Sequence, residues 1–512
     1  MKSMLLRVGP VALGVAAVAF AFPLFHWWPL AWVGLVPLFL RAGQASPRAA
    51  AGWFFFAGWL FHTLLLQWLL ANVMWAGGWA VWGYQLLCVA LALFWIPLGY
   101  AWRRAAPHLA PEAAAILLAA LWGVMEWAHA NVLTGFGWSA LGYSQGPDLT
   151  FAQLAALGGV SLLSVLLVLV NALLALALAS PQRRVLRIAL TAAIVAAAHA
   201  LGATLLHPAQ PREDQYRVGI AQSNFPIEMK YDRDYTVEMV NRCVTLGTAL
   251  QTEESINLMV WPEAMVMSDF HREEVLSPMR TYCTEMHTAL YSGSIRDAGG
   301  AGYNSSVLIG SDGEIKDYYD KVHLVPFGEY IPFASLFPFL KHVVPSNATS
   351  GAQHKLLSAG GPPFGPMICF EVLYSGIAET LYGQGASFFT VITNLAWFGQ
   401  SAAVPQELEI ARFRAIETRT PLVHAANTGI SGVFDPYGRL DYIHGFVRGD
   451  RYVNADPNRF PADATHGERM VGAFDLPAQA PRPWRHGTGY FTTLCAASAL
   501  ALLGYAMAKG RN

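Results

Sequence analysis

The sequence predicts a two-part protein, a bundle of eight α-helical membrane spans carrying one α/β layered domain. Three observations predict it. Apolar residues fill 54% of the chain and charged residues only 13%, with 17 Trp, a balance far from that of an average soluble protein. Before His207 the only acids are Glu112, Glu126 and Asp148, whereas 208–487 carries ordinary charge density. Within that second stretch, short apolar runs alternate with helical patterns. The chain therefore divides into seven spans over 1–207, a domain outside the cytoplasm over 208–487, and an eighth span with a short tail over 488–512.

A bilayer crossing needs roughly 20 apolar residues. Runs of that kind lie near 8–22, 26–40, 51–71, 80–101, 112–130, 154–179, 188–206 and 488–508. The second is short, and Pro23 and Pro29 interrupt its approach, so the first two read as a tight helical hairpin. Lys2 and Arg7 precede the first span, Arg41 and Arg48 follow the second, and Arg103 and Arg104 follow the fourth. Arg183, Arg184 and Arg187 follow the sixth, and Lys509 and Arg511 end the chain. The connections at 26–29, 72–79 and 131–153 hold no Lys or Arg. Because short cytoplasmic loops carry the basic excess, both termini are expected in the cytoplasm and 208–487 outside it. Lys2 and Arg7 ahead of Ala19-Phe20-Ala21 also fit a cleaved signal peptide; cleavage would leave every later loop on the same side. Glu126, inside the fifth span, is expensive in lipid and is expected to hydrogen-bond to a neighbouring span.

In the outer domain, strands are expected at 218–221, 258–261, 290–294, 306–309, 366–369, 388–392 and 422–425, and helices at 234–251, 271–288, 371–383 and 405–418. Ser311-Asp312-Gly313 and Pro436-Tyr437-Gly438 mark hairpins. Cys88 and Cys495 fall in spans. Cys243 and Cys283 either form a disulfide or, the preferred reading, are small buried residues of adjacent helices. Asn304-Ser305-Ser306 and Asn347-Ala348-Thr349 match glycosylation sequons, a pattern too short to carry weight.

The chemistry centres on Pro366-Met367-Ile368-Cys369-Phe370-Glu371, which puts a thiol where an apolar strand meets a helical pattern. Upstream lie Trp261-Pro262-Glu263 and Asp320-Lys321-Val322-His323-Leu324. A thiol attacks a carbonyl as the thiolate, and a helix start with a nearby cation favours that anion. Lys321 would supply the cation and Glu263 the base. A lone Cys after an apolar strand is ordinarily core; the contexts of Glu263 and Lys321 make Cys369 the expected nucleophile. The oxyanion needs fixed donors, for which the Lys321 ammonium and the backbone N–H groups after Cys369 are the candidates. Glu329 reads as a second carboxylate orienting Lys321 or an incoming amine, against a purely structural ion pair. Glu371 reads as a supporting residue, against a first-turn acid favouring its helix N-terminus. The histidines lack metal-ligand spacing, and no Cys-x-x-Cys, phosphate loop or dinucleotide fingerprint occurs, so neither metal nor cofactor is expected.

The three stretches, in this order and spacing, resemble the nitrilase (carbon–nitrogen hydrolase) superfamily, whose members form a thioester on such a Glu, Lys, Cys set. With spans before and after the domain, Leu133-Thr134-Gly135-Phe136 and Gly142-Tyr143-Ser144-Gln145 early, and Val325-Pro326-Phe327-Gly328-Glu329 late, nearly the whole chain resembles the apolipoprotein N-acyltransferases. That resemblance implies an α-β-β-α sandwich and ping-pong transfer of a fatty acyl chain from a membrane phospholipid, through Cys369, to the α-amine of the diacylglyceryl-cysteine of apolipoproteins. It implies a multi-pass protein of the bacterial inner membrane with a periplasmic catalytic domain, partnered by the lipid bilayer and not by nucleic acid, and working as a monomer. It points to Glu263, Lys321 and Cys369 as catalytic and to Glu329, Phe370, Glu371, Trp397 and Tyr231 as supporting.

Four positions depart from the family pattern: Phe370 where Tyr is usual, Leu395 where Asp is usual, Glu407 where His is common, and Tyr231 in place of a frequent Trp. The competing functions are a membrane-tethered nitrilase-like amidase or hydrolase, a slow divergent paralogue, and a non-catalytic scaffold or transporter. Transfer is preferred over hydrolysis because an apolar site at the membrane surface keeps water from outcompeting the amine. The apolar run at 330–340 reads as a membrane-touching lid, against ordinary packing.

Overall fold

The computed structural model describes residues 2–73, 77–230, 232–267, 270–332, 348–399, 401–443, 445–448, 451–454, 470–483 and 489–510. The chain forms two compact units, Met1–His207 with Arg482–Asn512, and Pro208–Pro481.

The first unit is helical: α1 (Lys2–Phe20), α2 (Val36–Gly43), α3 (Pro47–Leu65), α4 (Trp79–Leu93), α5 (Trp95–Ala105), α6 (Pro111–Asn131), α7 (Ala155–Ala179), α8 (Arg184–Leu205) and α13 (Gly489–Lys509). Among the described residues five helical stretches are long and apolar enough to cross a membrane: Trp79–His108, Pro111–Asn131, Ala155–Ala179, Arg184–Leu205 and Gly489–Lys509. Arg7–Phe20 and Trp28–Gly43 are shorter apolar helices. In the second of these, a 3-10 turn, Trp28–Trp32, precedes α2, and Pro stands in the first turn of each piece, where its missing N–H costs nothing.

Close packing here depends on absent side chains. A Cβ on Gly58 would sit 2.8 Å from the Trp95 ring, and one on Gly99 would sit 2.7 Å from Phe54. Two buried polar side chains show how such groups are answered within the protein where the surrounding is apolar. The Asn171 side chain accepts from Leu35 N at 2.9 Å and donates to Ala31 O at 2.9 Å, tying α7 to the turn before α2. Glu126 Oε1 accepts from Trp122 Nε1, on its own helix, and from Leu141 N, in the connection that follows, both at 2.8 Å. Large apolar side chains such as Val185, Leu186, Trp79, Trp82 and Leu500 remain exposed, a surface suited to lipid.

The second unit is built on two sheets. The strands are β1 (Arg217–Gln222), β2 (Leu258–Val260), β3 (Ala289–Ala298), β4 (Ala301–Ile309), β5 (Ile315–Asp320), β6 (Phe364–Ile368), β7 (Phe388–Thr393), β8 (Leu422–Ala426), β9 (Gly432–Phe434), β10 (Leu440–Tyr442), β11 (Gly445–Arg448), β12 (Arg451–Asn454) and β13 (Met470–Asp475). One sheet has the order β12-β11-β13-β1-β2-β3-β4-β5 and the other β10-β9-β8-β7-β6. β1, β2 and β3 run parallel, as do β6, β7 and β8.

Parallel strands buried on both faces need apolar residues on both sides, and β1 shows the pattern. Val218 and Ile220 join Val260, Tyr291, Ile368, Ile392 and Val423 in the core between the sheets. Ala221 faces the other way, into the core formed with α9 (Thr236–Gln251) and α10 (Glu273–Met286). Helices α11 (Ser375–Gly383) and α12 (Ala403–Thr418) pack on the second sheet, giving the layer order α-β-β-α. Cys243 on α9 and Cys283 on α10 are both free and buried in that helix-side core. The hairpins turn at 311–313 and 436–438, where Gly313 and Gly438 take positive φ of 77° and 81°.

Candidate active site

Three strand ends deliver the polar residues. Glu263 follows β2 in a loop laced to β3, where Trp261 N donates to Tyr291 O at 2.8 Å, Gly293 N to Pro262 O at 3.1 Å, and Met265 N to Gly293 O at 3.0 Å. Gly293 permits this approach, since a Cβ there would lie 2.5 Å from Glu263 Cα. Lys321 follows β5 and is anchored by its own N–H to Asn304 O at 2.8 Å. Cys369 follows β6 with φ of 51°, a left-handed conformation that costs a residue bearing a Cβ of order 1–2 kcal/mol and is found at functional turns.

The side chains converge on one buried ammonium. Lys321 Nζ lies 3.0 Å from the Glu329 carboxylate and 3.7 Å from Glu263 Oε1. Asn304 Nδ2 bridges the two acids, donating to Glu263 Oε1 at 2.9 Å and to Glu329 Oε1 at 2.6 Å, while Val325 N donates to Glu329 Oε2 at 2.7 Å. Burial by itself would lower the Lys321 pKa, but Glu329, Glu263, Cys369 and Glu371 outweigh it and hold the amine charged. Burial likewise opposes Glu329, yet Lys321, Asn304 and the Val325 N–H keep that carboxyl below its ordinary range.

Cys369 departs from the sequence expectation. Its thiol is pushed well above the usual range by burial, then by the charge of Glu263 and that of Glu407 when it is ionised; Lys321 and a hydrogen bond with Thr393 pull the other way and lose. Nor does it open a long helix, for Cys369–Leu373 is a single 3-10 turn, too short for a useful dipole. These influences favour the thiol form of Cys369 over a stored thiolate.

Glu371 does more than face a helix N-terminus. Fully buried, it accepts from Ile368 N at 2.8 Å, Val322 N at 2.9 Å, His323 N at 3.1 Å and the Tyr319 hydroxyl at 2.9 Å. One carboxylate thereby clamps the segment after Lys321 to the segment holding Cys369. Phe370 is buried and meets the Tyr374 ring edge-on at 5.6 Å. Trp397 lies half-buried on the 3-10 turn Leu395–Phe398 after β7. Tyr231 and the 333–340 part of the expected lid lie outside the described residues.

Two site residues escaped the sequence reading. Asn304 was weighed only as a sequon, although it stands on the strand paired with β5, beside Lys321. Thr393 ends β7, in the strand neighbouring β6, one register step beyond the Ile368–Ile392 pair, and so beside Cys369. A polar residue at the C-terminal end of a buried parallel strand is the signal that would have found Thr393.

Comparison with known proteins places relatives around this geometry. Residues 14–173 match the family model for the apolipoprotein N-acyltransferase N-terminal domain, and 217–440 match that for carbon–nitrogen hydrolases. The apolipoprotein N-acyltransferase of Geobacter metallireducens is 31% identical over 440 residues, covering 83% of this chain and 84% of that one. Its counterpart from Azotobacter vinelandii is 33% identical over 454 residues, covering 85% and 86%. Among solved structures, an amidase from Nesterenkonia sp. AN1 aligns with 51% of this chain and 93% of its own, at 18% identity and a TM-score of 0.37.

Proposed function

Because the chain belongs to the apolipoprotein N-acyltransferase family, whose members N-acylate lipoproteins, we propose that Glu263, Lys321 and Cys369 carry that transfer through a thioester. The observation that carries this reading is the buried Lys321 ammonium held between Glu263 and Glu329, with Cys369 within reach of its field.

Since the thiol rests protonated, deprotonation belongs to the attack itself. Glu263 takes the Cys369 proton as sulfur adds to the ester carbonyl of a phospholipid. Lys321 stabilises the oxyanion that forms. Collapse breaks the carbon–oxygen bond, Glu263 returns the proton to the leaving alcohol, and an acyl thioester remains on Cys369. In the second half, Glu263 accepts a proton from the α-amine of a diacylglyceryl-cysteine as nitrogen attacks the thioester. The tetrahedral intermediate expels the sulfur, which regains the proton as the amide is released. Glu329, with Asn304, fixes Lys321 in place, and Glu371 fixes the Cys369 turn; Phe370, Trp397 and Tyr231 are supporting residues in this reading. No cofactor takes part.

Purified protein incubated with acyl-labelled phospholipid should retain label on Cys369 through denaturation and lose it to neutral hydroxylamine, as a thioester does. Adding an apolipoprotein acceptor should move the label to its N-terminus. Release as free fatty acid, with no label on the acceptor, would instead identify a hydrolase.

The same reading gives eight spans in a bacterial inner membrane, both termini cytoplasmic, residues 208–487 in the periplasm, and a single chain as the working unit. In a background stripped of native thiols other than Cys369, a Cys placed at Ser311 should react with an impermeant thiol reagent added from outside that membrane. One placed at Gln182 should not. The reversed pattern would overturn the orientation drawn from the loop charges.

A further inference from the structure

Helix α12 carries a buried carboxyl that the transfer steps do not use. Glu407 is 1% exposed, and its Oε1 has no hydrogen-bond partner among the described residues. Its Oε2 meets the Thr393 hydroxyl in a long hydrogen bond of 3.4 Å. Thr393 stands beside Cys369, one register step beyond the Ile368–Ile392 pair, and hydrogen bonding from its hydroxyl lowers the Cys369 pKa. The hydroxyl thus adjoins both the carboxyl and the thiol, and it has a single hydrogen to share between them.

We propose that Glu407 is a positioning residue that acts through Thr393, its protonation setting whether the Thr393 hydroxyl donates to the Cys369 sulfur or accepts from it. The proposal rests on the reading of Cys369 as nucleophile. When Glu407 is ionised, Thr393 gives its hydrogen to the carboxylate and turns its lone pairs to the sulfur, which favours the S–H form. When Glu407 is protonated, the acid proton goes to the Thr393 oxygen and the Thr393 hydrogen is free to bond a thiolate. No bond other than hydrogen bonds changes. The neutral acid therefore prepares the thiol for attack, and the carboxylate disarms it.

The surroundings favour the neutral form near neutral pH. Burial, the largest influence, lifts the Glu407 pKa to about 8; Thr393 and Lys321 oppose the rise and Glu263 adds to it. Those groups, with Cys369, are the charged or titratable neighbours that act on it. The strand β8, packed on α12, carries His424, which burial keeps neutral with its Nδ1 held by Ile430 O. The adjoining α11 carries Glu379 and Tyr382, both partly exposed to solvent.

The test reads the thiol directly. Full-length protein in detergent is treated with iodoacetamide from about pH 6.5 to about pH 9.5, and alkylation of the Cys369 peptide is followed by mass spectrometry. Glu407→Gln keeps a neutral side chain with a donor at every pH. It should match wild type at the acid end and react ~3-fold or more faster at the alkaline end, the net of a thiolate fraction changed ~10-fold and an opposing loss of nucleophilicity. A ratio that stays flat across the range overturns the proposal. Thr393→Val, which removes the relay with little change of shape, should slow alkylation ~3-fold or more at the acid end, where Thr393→Ser should not. Equal rates for Val and wild type overturn it as well, whether or not Glu407→Gln folds. The outcome is independent of the acyl donor: phospholipid label on Cys369 with a flat ratio removes Glu407's role alone, and a pH-dependent ratio without label removes the transfer reading alone.

Discussion

Replacing Cys369 by Ala is expected to abolish acyl-enzyme formation and transfer while leaving the fold intact. In the proposed mechanism the variant lacks the atom that bonds the acyl group, so no partial activity should survive. Its structural cost is small: Ala keeps the Cβ, so the strain of the 51° φ is unchanged, and one sulfur at the edge of the inter-sheet core is lost. About 1 kcal/mol for such a deletion corresponds to a fall of roughly 2–4 °C in melting temperature. The pH dependence should separate the two proteins. The native thiol keeps its proton above the ordinary thiol range, whereas the unfolded chain loses it near pH ~8.5, so wild-type stability falls as pH rises through that point. The Ala variant lacks this decline and should overtake wild type in alkaline melts. Hydroxylamine-sensitive label persisting on Cys369→Ala would place the nucleophile elsewhere.

Lys321→Ala should combine a large loss of rate with a larger loss of stability than Cys369→Ala. It removes the oxyanion's cation, a loss of at least ~100-fold. It also leaves Glu263 and Glu329 bonded to one Asn304 amide with no positive charge between them. Removing one partner of a buried ion set costs about 3–5 kcal/mol. In wild type, the depressed Glu329 contributes stability that is present above its unfolded value near pH ~4.3 and lost as pH falls through its lower folded value. Lys321, held charged, contributes stability that is full below its unfolded value near pH ~10.4 and lost only at more alkaline pH. Without the ammonium, the Glu329 carboxylate becomes easier to protonate. The variant should therefore be most destabilised near neutrality and recover part of the loss as pH falls toward ~5, where Glu329 takes up a proton. Melting curves across that range, beside single-turnover acylation rates, check both halves. Near-wild-type acylation would remove Lys321 from the mechanism.

Much of this was legible in the chain because the relevant physics is local. Apolar runs announce helices such as Ala155–Ala179 and Gly489–Lys509 wherever they end up. Buried parallel strands must be continuously apolar, which is why 388–392 and 422–425 could be read as β7 and β8 to within a residue. The strands β11, β12 and β13 were not foreseen, and β5, β9 and β10 were announced only by the turns at 311–313 and 436–438. β5 has three charged residues among its six, Lys316, Asp317 and Asp320, β9 and β10 are three residues each, and β13 pairs with β1 from far along the chain, so none has a strong local signature.

The chain by itself determined which residues have the chemistry: a thiol at a strand end, an acid and an amine in matching contexts, and a lipid-compatible surround. Only the tertiary structure decided their ionic states. Sequence put a cation near Cys369 and so expected a thiolate, but the charge on a buried sulfur depends on every neighbour at once. Burial lifts its pKa first, and Glu263 and, when ionised, Glu407 arrive from different elements to add to that against Lys321. The same holds for Glu371, whose acceptor positions are filled by N–H groups and a hydroxyl from segments about 50 residues apart in the chain. Residue identity is a local property, whereas desolvation and Coulomb interactions sum over distances in space, and those distances exist only once the sheets have packed.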